Sequence, residues 1–418
     1  MGGVLAKKLA SLIYFILFRK VFALDITLFS NLTLVPINIR KEKIHFIVED
    51  INSGEFYEMP EICIEAIDLI NNGHSLGDIE QRMKVKYPEE EVDLLDFAKQ
   101  LLNLELIAII DGKEIVSKQK ENKKAHPGFL WISPKVGKFF FNKVALFFYV
   151  ILFILNTFLL VSHPNLFPHY QDIFISNYMV LNIIAFLVLT FCSVIVHEFG
   201  HILAMRAQDL STKLNVGHRL FLIVFESDIS TVWKLPSKER NIIYTAGLCF
   251  DMVILFFALI SQLIFVSGSG IFPRLMYVVV LNTVLRIVYQ CCIYMKTDLY
   301  YVFESITGCY NLMENAQQMI RRRLPFIKTI ETKDSVFEGE KKTVFTYSLF
   351  YFVGVVLTIS LFAFFYIPQL LFAVKKIIPG FLEGSTSLPF WDATLFSLQI
   401  LIGLALLLYS WRKKYLQR

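Results

Sequence analysis

Residues 178–205 read YMVLNIIAFLVLTFCSVIVHEFGHILAM. The first two-thirds are apolar enough to cross a bilayer. The last third carries His197, Glu198 and His201 in the pattern HEFGH. Ionisable side chains are expensive inside a membrane segment, so their presence there marks a functional site. Residues four apart on a helix lie about 40° apart on one face, one turn above the other. Two imidazoles so placed can bind one Zn²⁺, with the intervening Glu198 able to reach an activated water. The stretch reads as a zinc-binding catalytic helix embedded in a membrane.

The rest of the chain agrees with a polytopic membrane protein. Apolar residues make up 55% of the 418, with 40 Phe among them. Several runs exceed the ~18 apolar residues that suggest a spanning helix. About six spans are expected, near 139–161, 178–205, 242–267, 273–294, 346–373 and 391–411, the fifth containing Pro368 near its end. Net charge is a modest +5, and where the basic residues fall says more than their number. No Lys or Arg lies between the first two spans. Only Arg274 is close to the turn between the third and fourth, and Lys375 and Lys376 occupy the loop before the sixth. On the other side, the loop at 206–240 carries Arg206, Lys213, Arg219, Lys234, Lys238 and Arg240. The loop at 295–343 and the tail after Trp411 are similarly basic. This bias places both termini in the cytoplasm. The six cysteines have no CxxC and no regular spacing, so they read as small buried apolar residues and not as disulfides or zinc ligands.

The N-terminal part is more polar. Within residues 1–33, LASLIYFILF at 9–18 is too short to span and is flanked by Lys7, Lys8, Arg19 and Lys20, which suits a helix lying on the membrane surface. Residues 34–117 read as a small α+β domain. Phe46 and Val48 alternate with His45, Ile47 and Glu49 as in a strand, Asn52-Ser53-Gly54 turns, and Glu55-Phe56-Tyr57 continues as a second strand. A helix opens at Pro60 and stops at Asn72-Gly73. Ser75 with Asp78 caps the next, and Pro88 opens a third. Leu106, Ala108 and Ile110 lead into an Asp111-Gly112 hairpin. Strands, three helices and a terminal hairpin suggest a winged-helix-like cytosolic domain. Nucleic acid is an improbable partner, because Glu89, Glu90, Glu91, Asp93 and Asp96 would repel phosphate. A basic linker follows at 118–138.

A catalytic zinc needs a third protein ligand and an open position. Asp298 follows the fourth span and arrives near the depth of HEFGH. Asp251, inside the third span, is its rival, and Asp298 is favoured. Gln290 is a candidate for hydrogen-bonding substrate backbone, or equally a satisfied intramembrane amide. After the HEFGH helix, Leu220, Leu222, Val224 and Glu226 alternate with Phe221, Ile223 and Phe225. This suits a strand whose edge holds an extended substrate, or a re-entrant plug. Ser227, Asp228 and His218 are polar neighbours with no role assigned.

HEFGH in a spanning helix, with a downstream Asp, resembles the site-2 protease family of intramembrane zinc metalloproteases. ESDISTVWKLP at 226–236, TAGLCFDM at 245–252 and KTDLYYVF at 296–303 extend the resemblance to the peptide zinc metalloproteases of modified-peptide gene clusters. Leu299 stands where the family has Gly after the Asp. Residues 34–117 resemble the leader-peptide recognition element of those clusters. The resemblance implies that His197, His201 and Asp298 bind zinc and that Glu198 is the base. It places a metalloprotease core at 139–320, followed by a cytosolic loop and C-terminal helices at 321–418. It also implies a bacterial cell membrane, a leader-bearing or membrane-associated peptide substrate, and a transporter or peptide-modifying enzyme as partner. Two other readings compete. One is regulated cleavage of a membrane-bound signalling protein; the other is a non-catalytic peptide-binding or export protein.

Overall fold

The computed structural model describes residues 26–43, 45–115, 128–176, 178–219, 222–265, 270–323 and 340–416. The surface helix expected at 9–18, residues 118–127 of the basic linker, and Leu220 and Phe221 of the alternating segment lie outside them. The chain is mostly helical and divides into two compact units, one ending at residue 125 and one beginning at 126.

The first unit is a small domain of sheets and helices. Strands β1 (Leu32–Leu34), β2 (Ile37–Lys41), β3 (Phe46–Asp50) and β4 (Phe56–Met59) precede helices α1 (Glu61–Asn71), α2 (Leu76–Lys86) and α3 (Leu94–Asn103), and strands β5 (Ile107–Ile110) and β6 (Lys113–Glu114) close it. Two antiparallel three-stranded sheets form, in the orders β2-β3-β4 and β1-β5-β6. The β3–β4 turn uses Gly54 at φ +70°, and the β5–β6 turn puts Asp111 and Gly112 at positive φ, the conformation a two-residue hairpin requires. Val48, Ile67, Ile79, Ala98 and Leu101 are fully buried in the shared core.

Three local expectations need correction. β1 and β2 carry short alternations, Leu32-Thr33-Leu34 and Ile37-Asn38-Ile39, and Leu32 is buried opposite Ile110, so the domain starts ahead of residue 34. Helix α3 opens at Leu94 and not at Pro88, because the side chain of Asp93 accepts the Asp96 N–H and caps it there. Only half of a capping box forms at α2. Ser75 accepts the Asp78 N–H, but the Asp78 carboxylate takes the Ser75 hydroxyl.

Among the described residues, the second unit holds six helices long and apolar enough to cross a membrane. In order they are α4 (Pro134–Phe140) continuing into α5 (Lys143–Ser162), α6 (Met179–Ala207), α7 (Ser237–Ile264), α8 (Ile271–Gln290), then, after α9 (Asp298–Thr307) and α10 (Leu312–Arg323), α11 (Lys341–Leu361) and, after α12 (Ile367–Leu382), α13 (Leu388–Leu416). Between α6 and α7 strands β7 (Leu214–Arg219) and β8 (Leu222–Ser227) pair antiparallel, Leu214 opposite Ser227. The alternating run is therefore one arm of a hairpin. Phe147, Phe153 and Phe158 on α5 and Leu181, Leu187 and Val188 on α6 are more than half exposed, an outer surface suited to hydrocarbon and not to water.

The fifth span is shorter than 346–373 and ends ahead of Pro368, the residue that points to a shorter helix. The helix widens into a π-turn over Phe362–Tyr366 and resumes as α12 at Ile367. Pro368 has no N–H to donate and its ring clashes with a regular preceding turn, so the wider turn falls where the sequence demands one. Lys375 and Lys376 consequently sit in a helix and not in a loop. The start of α6 is held by Asp392 of α13, whose carboxylate accepts the N–H groups of Met179 and Val180.

Candidate metal centre

Helix α6 turns a stripe of Ser193, His197, Gly200, His201 and Ala204 inward, at three- and four-residue spacing. Helix α7 packs against that stripe very closely. A Cβ on Gly200 would lie 2.7 Å from the Ala246 carbonyl oxygen. A Cβ on Gly247 would lie 2.6 Å from His201 Nε2 and closer still to the His197 ring. Glycine at both crossing points lets the helices approach, as small residues do between membrane helices.

Positions two turns apart on α7, either side of Gly247, then serve the two histidines. The Ile243 carbonyl lies 2.8 Å from His201 Nδ1, and Asp251 Oδ2 lies 2.9 Å from His197 Nδ1. A carbonyl and a carboxylate can only accept, so each Nδ1 carries the hydrogen and each Nε2 presents its lone pair. The two Nε2 atoms face each other at 3.4 Å. Asp298 Oδ2 stands 3.1 Å from that of His197 and 3.4 Å from that of His201. Two lone pairs and a carboxylate this close repel unless positive charge lies among them. Two imidazole nitrogens and one carboxylate oxygen fit a divalent ion such as Zn²⁺.

Asp298 reaches this point as the first residue of α9. Thr297 caps that helix, accepting the Tyr300 N–H and donating to the Gln290 carbonyl. Gln290 grips Asp298 at both ends: its Nε2 donates to Oδ2 at 2.8 Å, and its Oε1 accepts the Asp298 N–H at 2.9 Å. The amide offered to substrate in the sequence reading is therefore committed to the carboxylate instead.

Asp251, the rival ligand, occupies a different place. It is fully buried and meets the outer nitrogen of His197, while Arg286 of α8 clamps it through Nε at 3.1 Å and Nη2 at 2.6 Å. Leaving one member of such a buried pair alone costs about 3–5 kcal/mol. Glu198 points elsewhere again. Its Oε2 accepts both the N–H and the hydroxyl of Ser227, each at 2.8 Å, at the end of β8. The hairpin is thus tied to the helix through the carboxylate next to the first histidine.

Three contributors had no assigned role in the sequence reading: Gly247, Ser227 and Arg286. Arg286 carried the same signal as His197, a charge inside an apolar run, and is opposite in sign to Asp251. No family model, no curated protein and no solved structure matches this chain.

Proposed function

We propose that the protein is an intramembrane zinc metalloprotease of the site-2 type, which hydrolyses a peptide bond in a leader-bearing or membrane-associated peptide near the cytoplasmic face. The observation that carries this reading is the convergence of His197 Nε2, His201 Nε2 and Asp298 Oδ2 beside Glu198, inside a bundle of apolar helices. Hydrolysis needs a base next to such a site, and Glu198 follows the first histidine directly.

His197, His201 and Asp298 would hold the zinc, which when bound polarises a peptide carbonyl and makes water nucleophilic near neutral pH. Gln290 and the Ile243 carbonyl keep Asp298 and His201 turned toward the site. Glu198 takes the proton of the attacking water and returns it to the leaving amine. Ser227 fixes Oε2, so that Oε1 is the atom that carries the proton. The apolar helices keep bulk water from the reaction. The hairpin β7–β8 offers backbone against which an extended substrate can pair. In the N-terminal domain, three helices followed by a hairpin that pairs back on β1 support a winged-helix-like module, the proposed dock for the leader. The apolar helices support a membrane setting, and the Lys and Arg bias of the loops is what supports placing both termini in the cytoplasm of a bacterial cell.

The test is cleavage of a candidate precursor peptide by purified, zinc-loaded protein beside Glu198→Gln. Cleavage by the parent alone, with zinc retained in both, supports the protease. Tight peptide binding with no cleavage by either would favour the non-catalytic reading, and cleavage of a membrane-bound signalling protein in preference to leader peptides would favour regulated proteolysis.

A further inference from the structure

Asp251 and Arg286 place an ion pair inside the membrane, at a position where neither bonds the ligand-donating atoms. Asp251 is fully buried and Arg286 nearly so. Such a pair gains little for stability, because desolvating two charges offsets most of their attraction, and apolar residues often serve as well. What distinguishes this one is its geometry. Arg286 grips both oxygens of Asp251, Nη2 on Oδ1 and Nε on Oδ2, so the plane of the carboxylate is set. The same Oδ2 accepts from His197 Nδ1 at 2.9 Å. The imidazole therefore cannot rotate or change tautomer without breaking a charge-assisted hydrogen bond. His201 is held differently, by the Ile243 carbonyl, which is fixed by its helix.

We propose that Asp251 and Arg286 are positioning residues for metal binding: the guanidinium fixes the carboxylate, and the carboxylate fixes His197 with its Nε2 lone pair aimed at His201 and Asp298. The inference rests on the metal-site reading above and goes beyond it by assigning a carboxylate–imidazole relay to a pair of intramembrane charges. Outer partners of this kind change metal affinity by about 10- to 100-fold when removed.

The experiment measures Zn²⁺ affinity of the purified full chain in detergent by competition with a chromophoric chelator. Visible absorption of the Co²⁺-substituted protein provides a second readout. Both charges are removed together so that none is left buried alone. Asp251→Asn with Arg286→Gln keeps an acceptor for His197 Nδ1, whereas Asp251→Leu with Arg286→Leu keeps none. Gln262→Leu serves as control, a buried amide on the same helix with no hydrogen-bond partner among the described residues. The expected order is parent and control together, the Asn/Gln variant about tenfold weaker, and the Leu/Leu variant about a hundredfold weaker with an altered Co²⁺ spectrum. A merely structural pair would change the melting temperature and leave the zinc affinity of the folded variants alone. Parental affinity in a folded Leu/Leu variant overturns the inference. If that variant does not fold, parental affinity and spectrum in the Asn/Gln variant overturn it equally. A parent that binds no zinc overturns the metal reading itself, a result distinct from unchanged affinity among the variants.

Discussion

Gly247→Ala adds one methyl group at the point where α7 crosses the two histidines. Elsewhere in a helix this change would stabilise by about 1 kcal/mol, because alanine has the higher helix propensity. Here the new Cβ would lie 2.6 Å from His201 Nε2, and closer to the His197 ring, against the 3.4 Å at which ordinary contact begins. It falls short by roughly 0.8 Å at one ring and by more at the other. Neither ring can simply swing aside, since Asp251 and the Ile243 carbonyl hold their far nitrogens. The strain must go into separating the helices or turning the imidazoles, and ligand distances tolerate only about 0.2 Å. We expect at least a 100-fold loss of zinc affinity, equivalent to about 2.7 kcal/mol at 1.36 kcal/mol per decade. The assay is chelator competition together with the zinc-dependent rise in unfolding midpoint, which tracks the ratio of free zinc to its dissociation constant. The zinc-free protein should lose stability as well, by about 1–3 kcal/mol, because the clash is with the rings themselves. Parental zinc affinity in a folded Gly247→Ala protein would show that the close crossing does not shape the site.

Other changes separate the roles of neighbouring residues. Ser227→Ala removes one of two hydrogen bonds to Glu198 Oε2, so kcat should fall about tenfold while zinc content stays at one per chain, read by peptide cleavage and metal analysis. Gln290→Leu removes the amide's hydrogen bond to the Asp298 carboxylate and its hold on the Asp298 N–H, and should weaken zinc binding at least tenfold, measured by the same competition. Removing zinc with a strong chelator should abolish cleavage and restoring it should recover the activity, whereas a metal-independent hydrolase would not respond. Glu304 on α9 supplies a pH test, because desolvation pushes its carboxyl up to about 7 despite the hydrogen bonds donated by Tyr300 and the Leu312 N–H. Its folded value lies above its unfolded one, so the contribution to stability is complete below about pH 4.5 and is lost as pH rises through about 7, by about 3 kcal/mol at most. Unfolding midpoints recorded from pH 5 to pH 8 should fall in the parent and flatten in Glu304→Gln.

Much of the architecture was legible in the sequence because its causes are local. A run of apolar residues longer than a bilayer is thick needs no partner to be recognised, and in hydrocarbon such a run can satisfy its backbone only as a helix. The Asp111-Gly112 turn was readable because positive φ depends on the residue itself. Failures arose where a local cue competed with another. Pro88 looks like a helix start, but Asp93 can cap and Pro88 cannot. The run 346–373 looks continuous, but Pro368 forces the helix to widen first. β1 escaped because it is short and its pairing is with β5, far along the chain, whereas β2 pairs with the next strand, β3.

The candidate site divides along the same line. That His197 and His201 share a face follows from a spacing of four and the pitch of a helix, and the sequence alone determines it. That Asp298 joins them, and that Asp251 takes the opposite nitrogen of His197, depends on pairs separated by 101 and 54 residues. Both carboxylates were candidates, and composition could not separate them. The packing of α6, α7 and α8 does so, because an imidazole has two nitrogens on opposite edges and the helices deliver one carboxylate to each. Chain position reports which side chains are available, but only the crossing of the helices decides which nitrogen each one meets.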